Sequence, residues 1–270
     1  GNMASSLIQG LLANGISPES IWAADIDGLK LQQLRNECRI NTGTSGEIAQ
    51  HADVLVLAVK PQVMATVCTD IQPHLGEHNS LVLSIAAGIT IAHLQRWLGE
   101  DTALVRCMPN TPALVGKGAS GLFANQMVSE PQKQLAADIM AAVGLSVWVD
   151  SEQDIDTVTA LSGSGPAYFF LFMEAMQAAA QEMGLKEELA RVLTYQTALG
   201  AAELALDSED DIATLRQKVT SPGGTTEQAI NRFEAGDLRG LVAQALRSAR
   251  DRSIELADEF GKAEDEFEKE

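Results

Sequence analysis

Apolar residues follow two different rhythms along this chain. From Ile21 to about Val149, short apolar runs alternate with helix-like stretches. The strand candidates are IWAAD (Ile21 to Asp25), DVLVLAV (Asp53 to Val59), SLVLSIA (Ser80 to Ala86), ALVRCM (Ala103 to Met108), ASGLFA (Ala119 to Ala124) and SVWVD (Ser146 to Asp150). Their apolar character is continuous rather than alternating, which marks strands covered on both faces, as in a parallel sheet flanked by helices. Ser17-Pro18 and Ser129-Glu130-Pro131-Gln132 read as helix starts, each with a hydroxyl cap ahead of a proline in the first turn. This half predicts an α/β, doubly wound parallel sheet. After Asp150 the strand-like runs stop, and Ala, Leu, Met, Glu and Gln dominate two segments, Pro166 to Met183 and Lys186 to Leu206. That half predicts only helices. The change of pattern puts a domain boundary near residue 153, giving domains of residues 1–153 and 154–270.

The helical half poses a problem of coverage. AYFFLFMEAM and TALGAAELAL are apolar over much of their circumference, and little else in this half can cover them. A helical homodimer is the expected solution. At 270 residues the chain suits two domains of roughly 100–200 residues each. No apolar run approaches the roughly 20 residues of a membrane span. A net charge of -18, with scattered Lys and Arg, makes nucleic acid a poor partner and leaves small molecules. Cys38, Cys68 and Cys107 are too far apart for a metal site, and their odd number does not suit a disulfide framework. A reducing cytoplasm and no metal are expected. GNMASSLIQG shows no secretory signal, and the acidic end KAEDEFEKE reads as a solvated tail.

Candidate chemistry begins at the first residue. Gly1-Asn2-Met3-Ala4 runs directly into a helical pattern, SSLIQGLLANG. A glycine at a helix start lets backbone amides approach a pyrophosphate, held there by unpaired N–H groups and the helix dipole. The pattern G-x-G-x-x-G/A is present only in its second half, with Gly1 as the second glycine and Ala4 as the third small residue. Asp25, at a strand end, can accept hydrogen bonds from the adenosine ribose hydroxyls and would repel a 2′-phosphate. Asp27 adds to that repulsion and no Arg follows to counter it, so NADH is favoured over NADPH. The alternative is that both aspartates simply form the polar end of a strand and its turn.

GNMA at Gly1, AVKPQ at Ala58, SIAAGIT at Ser84, RCMPNTPALVGKG at Arg106, TALSGSGPAYFF at Thr159 and VTSPGGTTEQAI at Val219 together resemble the pyrroline-5-carboxylate reductase family, from residue 1 to about residue 260. The resemblance implies an NAD(P)H-dependent oxidoreductase of the CH–NH class that reduces the cyclic imine 1-pyrroline-5-carboxylate to L-proline. It implies a Rossmann-like domain followed by an all-α dimerisation domain, and a dimer that often assembles into larger rings such as a decamer. It places Gly1, Asn2, Met3, Asp25, Val59, Lys60, Pro61, Ala86 and Asn110 at the cofactor. The PNTP segment, Pro109 to Pro112, would border the nicotinamide, and the backbone of Ser162 to Pro166 would approach the cofactor. Small residues there also break one helix, and proline opens the next.

Ser221-Pro222-Gly223-Gly224-Thr225-Thr226-Glu227-Gln228 is the richest segment. Thr225 to Gln228 matches a T-x-x-Q capping box, so a helix is expected to begin here, with Gly223 and Gly224 leaving its N–H groups uncovered. By resemblance the substrate carboxylate sits at Ser221, Gly223, Gly224, Thr225 and Thr226, with the Thr226 hydroxyl near the ring nitrogen as the catalytic group. A plain helix cap is the alternative. His51, His74, His78 and His93 fall outside these motifs and read as ordinary surface or core residues.

A beta-hydroxyacid dehydrogenase would share this layout but needs a lysine on the helix after the glycine-rich turn, and Pro166 to Met183 has none. A silent dinucleotide-binding scaffold is the other rival, opposed by the intact SPGGTT. Three features depart from the family. A strand and first glycine normally precede the position of Gly1, so a trimmed start is expected. Ser45 stands where relatives often carry asparagine near the adenine ribose, and the last nine or so residues match nothing in the family.

Overall fold

The computed structural model describes residues 1–75 and 79–267, with side chains described through Gly261. Its packing divides into two units, residues 1–164 with 248–270, and residues 165–247. In the first unit the order is α1 (Asn2–Ala13), β1 (Trp22–Ala23), α2 (Gly28–Cys38), β2 (Asn41–Thr42), α3 (Ser45–His51), β3 (Val54–Leu57), α4 (Met64–Ile71), β4 (Leu81–Ser84), α5 (Ile91–Leu98), β5 (Ala103–Met108), β6 (Gly118–Ala124), α6 (Glu130–Ala141), β7 (Gly144–Trp148) and α7 (Asp154–Val158).

Five strands form one sheet in the order β3-β4-β5-β6-β7, with Val54 opposite Leu81 and Leu81 opposite Ala103. Leu7, Leu83, Val105, Leu122, Ala136 and Met140 fill one face, beneath α1 and α6. Leu57, Met64, Val82, Leu94 and Leu104 fill the other, beneath α4 and α5. Successive residues of β4 and β5 point to opposite faces, so a continuous apolar run is what two-sided burial demands. Each such side chain contributes about 1.5–3 kcal/mol by leaving water. Gly10 lets α1 approach closely, because a Cβ there would lie 2.4 Å from the Ala142 carbonyl oxygen.

Several expectations need correction. The sheet is not wholly parallel: β6 runs antiparallel to β5, with Met108 opposite Gly121. A short 3₁₀ turn at Thr111–Val115 ends at Gly116, φ +67°, and reverses the chain without the crossover helix that a parallel neighbour requires. The apolar run of β6 carries no information about direction. β1 shrinks to two residues and pairs only with β2 in a separate parallel ribbon, Trp22 opposite Asn41, while the Trp22 side chain stays half exposed. Ser17-Pro18 opens only a 3₁₀ turn, Pro18–Ser20, whereas Ser129 does precede α6.

The packing boundary also differs from the change of pattern near residue 153. Residues Asp154–Val158 and a single π turn at Thr159–Gly163 pack under the first sheet. Gly121 admits the Val158 side chain, whose methyl groups would lie 2.8 Å from a Cβ there. The C-terminal part of the longest helix returns to the same unit, where Ser253 donates to Asp156 at 2.8 Å and Phe260 packs against Gly88.

The second unit holds α8 (Gly165–Glu182), α9 (Glu187–Asp207), α10 (Ile212–Lys218), α11 (Thr225–Ala235) and the first part of α12 (Leu238–Phe267). Gly184, φ +97°, ends α8 by a left-handed cap, with Leu185 N–H donating to the Ala180 carbonyl at 3.0 Å. Phe172 meets Phe233 across α8 and α11 at 5.9 Å. Phe170, Met173, Gln177, Gln181 and Tyr195 line a groove of about 460 Å³ on α8 and α9. The acidic end continues α12 as helical backbone through Phe267 rather than leaving it as a tail; His78 and residues 268–270 lie outside the described residues. Among the described residues no helix is long and apolar enough to cross a membrane.

Candidate functional site

Five of the expected cofactor residues follow strands of the main sheet. β3, β4 and β5 are adjacent and parallel, so the residues following them, Val59 to Pro61, Ala86 and Asn110, share the C-terminal edge of the sheet. Ligands of open α/β sheets bind there. Lys60 is exposed and precedes the 3₁₀ turn Pro61–Val63, whereas Ala86 is buried, its amide 3.5 Å from Ser84 Oγ. α1 starts at Asn2 with Gly1 as its N-cap; no side chain caps it, and a Cβ on Gly1 would meet nothing within 4 Å. Met3 packs against the sheet, and α1 lies against the Thr111–Val115 turn.

Asp25 and Asp27 occupy the loop from β1 to α2, and α2 packs against α1. Asp25 Oδ1 accepts from Asp27 N–H at 3.0 Å. Asp27 caps α2 by accepting from Leu29 and Lys30 N–H at 3.1 and 3.3 Å, and pairs with Lys30 Nζ at 3.5 Å. The Lys30 amide leads in holding the Asp27 carboxyl below the usual range. Both aspartates are therefore engaged locally, and Asp27 is also partly offset by a cation.

Asn110 is buried, and both ends of its side chain are engaged within the protein. Its Oδ1 accepts from Ala119 N–H at 2.8 Å, and its Nδ2 donates to the Ser162 carbonyl at 2.9 Å. The PNTP and SGSG segments are thus joined directly. No signal in the chain marks this pairing, since the partners lie far apart in sequence.

In the second unit, Ser221 to Gly224 form a tight turn into α11. Gly223 has φ +73°, and Gly224 N–H donates to the Ser221 carbonyl at 3.0 Å. The N-cap is Gly224, with no side-chain cap, and Thr225 and Thr226 are exposed in the first turn. The expected Thr225–Gln228 capping box does not form, because Thr225 is already helical. Instead Glu227 Oε2 reaches back to accept from Gly223 N–H at 2.8 Å. Glu227 is a residue for which the sequence suggested no role, although an acid in the first turn of a bare helix is a recognisable signal.

A second polar cluster lies in the first unit. Buried Arg106 pairs with Glu152 at 3.0 Å and Asp156 at 3.5 Å, while Glu152 also accepts from Ile91 N–H at 2.7 Å at the start of α5. His93 closes a capping box with Thr90, its Nδ1 accepting from Thr90 N–H at 3.3 Å. Burial, then nearby Arg96, pushes His93 below the ordinary histidine value. Burial raises the Cys107 thiol. None of these groups lies in the expected site. Among the described residues no cluster of three or more His, Cys, Asp or Glu could hold a metal ion.

Comparison with known proteins gives these sites a context. Residues 152–256 match the family model for pyrroline-5-carboxylate reductase dimerisation, and residues 1–88 match that for NADP oxidoreductase, coenzyme F420-dependent. A pyrroline-5-carboxylate reductase of Pseudomonas aeruginosa is 51% identical over 97% of this chain and 96% of its own. The structure of a pyrroline-5-carboxylate reductase from Coxiella burnetii superposes with a TM-score of 0.92, at 49% identity, over 95% of this chain and 96% of that one. A Plasmodium falciparum pyrroline carboxylate reductase with NADP bound superposes with a TM-score of 0.82, at 31% identity, over 95% of each. With half its residues shared over nearly its whole length, the chain belongs to the pyrroline-5-carboxylate reductase family.

Proposed function

We propose that this protein uses NAD(P)H to reduce 1-pyrroline-5-carboxylate to L-proline, with the cofactor on the first unit and the substrate's carboxylate at the start of α11. One observation carries the residue assignment: Gly224 begins α11 as an N-cap without a side-chain cap, leaving N–H groups for an anion. Gly1, Asn2 and Met3 would hold the pyrophosphate, Asp25 the adenosine ribose, and Val59, Lys60, Pro61, Ala86 and Asn110 the edge along which the nicotinamide half lies.

The reduced nicotinamide supplies the hydride. A protonated cyclic imine is already electrophilic, so the protein's contribution is orientation, which can supply several kcal/mol of a barrier. The amides of Gly223 and Thr225 grip the carboxylate, Gly224 N–H holds the turn on the Ser221 carbonyl beside them, and the substrate displaces Glu227 from Gly223 N–H as it binds. Ser221 fixes the turn through its carbonyl. Thr226 hydrogen-bonds the ring nitrogen as it becomes an amine. No histidine is required, which accords with the place of His93 in a helix cap.

Asp25 favours NADH over NADPH by repelling a 2′-phosphate, against the modest counterweight of Lys30. The working form is a homodimer through α8 and α9, with a ring of dimers such as a decamer as its extension. Three well-separated cysteines, Cys38, Cys68 and Cys107, suit a reducing, cytoplasmic setting. A spectrophotometric assay with 1-pyrroline-5-carboxylate and each cofactor tests the reading. Turnover with a higher kcat/KM for NADH is expected. No oxidation of either cofactor would end it, and a preference for NADPH would remove the role given to Asp25.

A further inference from the structure

Asn110 has no freedom to reach a ligand with its side chain. Its carbonyl is held by the amide that begins β6, and its amide group holds the Ser162 carbonyl, in a site where the residue is 8% exposed. The segment it holds is unusual. Residues Thr159–Gly163 form a π turn, with Ser164 N–H donating to the Thr159 carbonyl at 2.8 Å. A π turn shifts carbonyls off the α-helical ladder and tends to mark functional sites. Ser162 Oγ and Thr159 Oγ1 bond back to the carbonyls of Val158 and Ile155 at 3.1 and 2.7 Å, so those hydroxyls face the helix. A Cβ on Gly163 would come within 2.7 Å of the Met108 methyl group, at the end of β5. The turn is therefore seated on the strand-end edge by close packing at Gly163 and by the polar tie from Asn110.

We infer that Asn110 is a positioning residue, locking the π turn at Ser162 to Ser164 against the cofactor edge so that the nicotinamide is held at a fixed height. The inference rests on the reading of this edge as the nicotinamide site. Asn110 acts through the backbone of the turn, and its removal changes the orientation of the bound cofactor more than its affinity.

The substitution Asn110→Asp separates the two bonds. An aspartate still accepts from Ala119 N–H, so β6 keeps its start, but its carboxylate repels the Ser162 carbonyl. Three measurements on the full-length enzyme read the result: amide hydrogen exchange across residues 159–165 without cofactor, cofactor Kd, and kcat and KM as functions of pH. Expected are faster exchange in that segment, a kcat lower by roughly tenfold or more, and a cofactor Kd changed less than about threefold. As pH falls, the introduced carboxyl gains a proton it can donate to Ser162, so the ratio of variant to wild-type kcat measured at the same pH rises towards one. If Asn110→Asp does not fold, Asn110→Ala removes both bonds without repulsion and should show the same exchange and kcat losses, without recovery in acid.

Unchanged exchange or unchanged kcat overturns the inference. So does a loss in Kd as large as the loss in kcat, which would make Asn110 a direct cofactor ligand. A wild-type enzyme that reduces no imine would instead sink the functional reading, and exchange in the free protein would still report on the tie.

Discussion

The two packing units solve the hydrophobic problem in opposite ways. The first hides its apolar residues inside: Leu81, Val82, Leu83, Leu104 and Val105 are fully buried between two helical layers. The second wears them outside. Phe169, Phe170 and Leu171 are about two-thirds exposed on α8, and Leu193, Leu204 and Leu206 more than half exposed on α9. Of the described buried apolar residues, only Ala190 belongs to this unit. A chain that leaves three consecutive large apolar residues in water has not finished folding by itself. The match of residues 152–256 to a dimerisation family accounts for the missing layer, since two such units can bury each other's faces.

The sharpest way to break this contrast is to put charge on the exposed face. Phe170→Glu replaces an anchor that is 64% exposed in the single chain. On a free surface it would change stability by no more than about 0.5 kcal/mol. In a dimer interface it loses aromatic packing and buries an unpaired carboxylate, twice by symmetry, costing roughly 5 kcal/mol or more. Sedimentation should show monomers where the wild type sediments as a dimer, with thermal unfolding that no longer depends on concentration. Retention of the dimer would place the interface elsewhere.

The matching experiment in the first unit attacks an internal tie. Arg106→Met fits the apolar stem but strands Glu152 and Asp156, which lie at 22% and 13% exposure around the lost guanidinium. Removing one partner of a buried ion pair costs about 3–5 kcal/mol. Urea unfolding should show that loss, with the dimer intact at low denaturant. A loss below about 1 kcal/mol would mean that water already solvates the two carboxylates.

Thr226→Ala sharpens the comparison from the side of chemistry. The residue is exposed in the first turn of α11 and caps nothing, so stability should hardly change. One hydrogen bond to the ring nitrogen is worth about 1 kcal/mol or somewhat more, which predicts a kcat roughly tenfold lower with cofactor Kd unaltered. Unchanged kinetics would remove Thr226 from the mechanism.

How much of this could be read in the residues depends on range. β4 and β5 were legible because two-sided burial writes itself as a continuous apolar run, and α8 and α9 because their composition admits little else. The direction of β6 was not legible, since Gly118 to Ala124 reads alike in either direction and only the short connection through Gly116 decides it. α12 was missed as a span across both packing units because its apolar positions are scattered among Arg, Asp and Glu. At the site, the glycines of the α11 start stood out, but their neighbour Glu227 and the tie from Asn110 to Ser162 did not. Both are contacts whose partners the chain does not announce by spacing.

The smallest effect concerns pH and again belongs to the first unit. His93 is 9% exposed, stacked on Trp97 at 5.8 Å, and accepts the Thr90 amide through Nδ1. Arg96 on its own helix, Arg106 on β5, Glu152 ahead of α7 and Asp258 on α12 face it, and burial dominates in lowering its proton affinity. Protonation would fill the lone pair that caps α5 and put a charge where Gly261 of α12 leaves little room. The folded chain thus binds this proton less readily than the unfolded chain, whose histidine titrates at the ordinary 6.5. Below that value the unfolded chain carries more protons, so stability declines as pH falls towards the lowered folded value, and the contribution is complete above 6.5. His93→Gln keeps an acceptor for the Thr90 amide, as glutamine does in a capping box, but cannot titrate. Melting temperatures followed from neutral to mildly acidic pH should fall less steeply in that variant than in wild type. Parallel curves would show that the imidazole accepts its proton without leaving the cap.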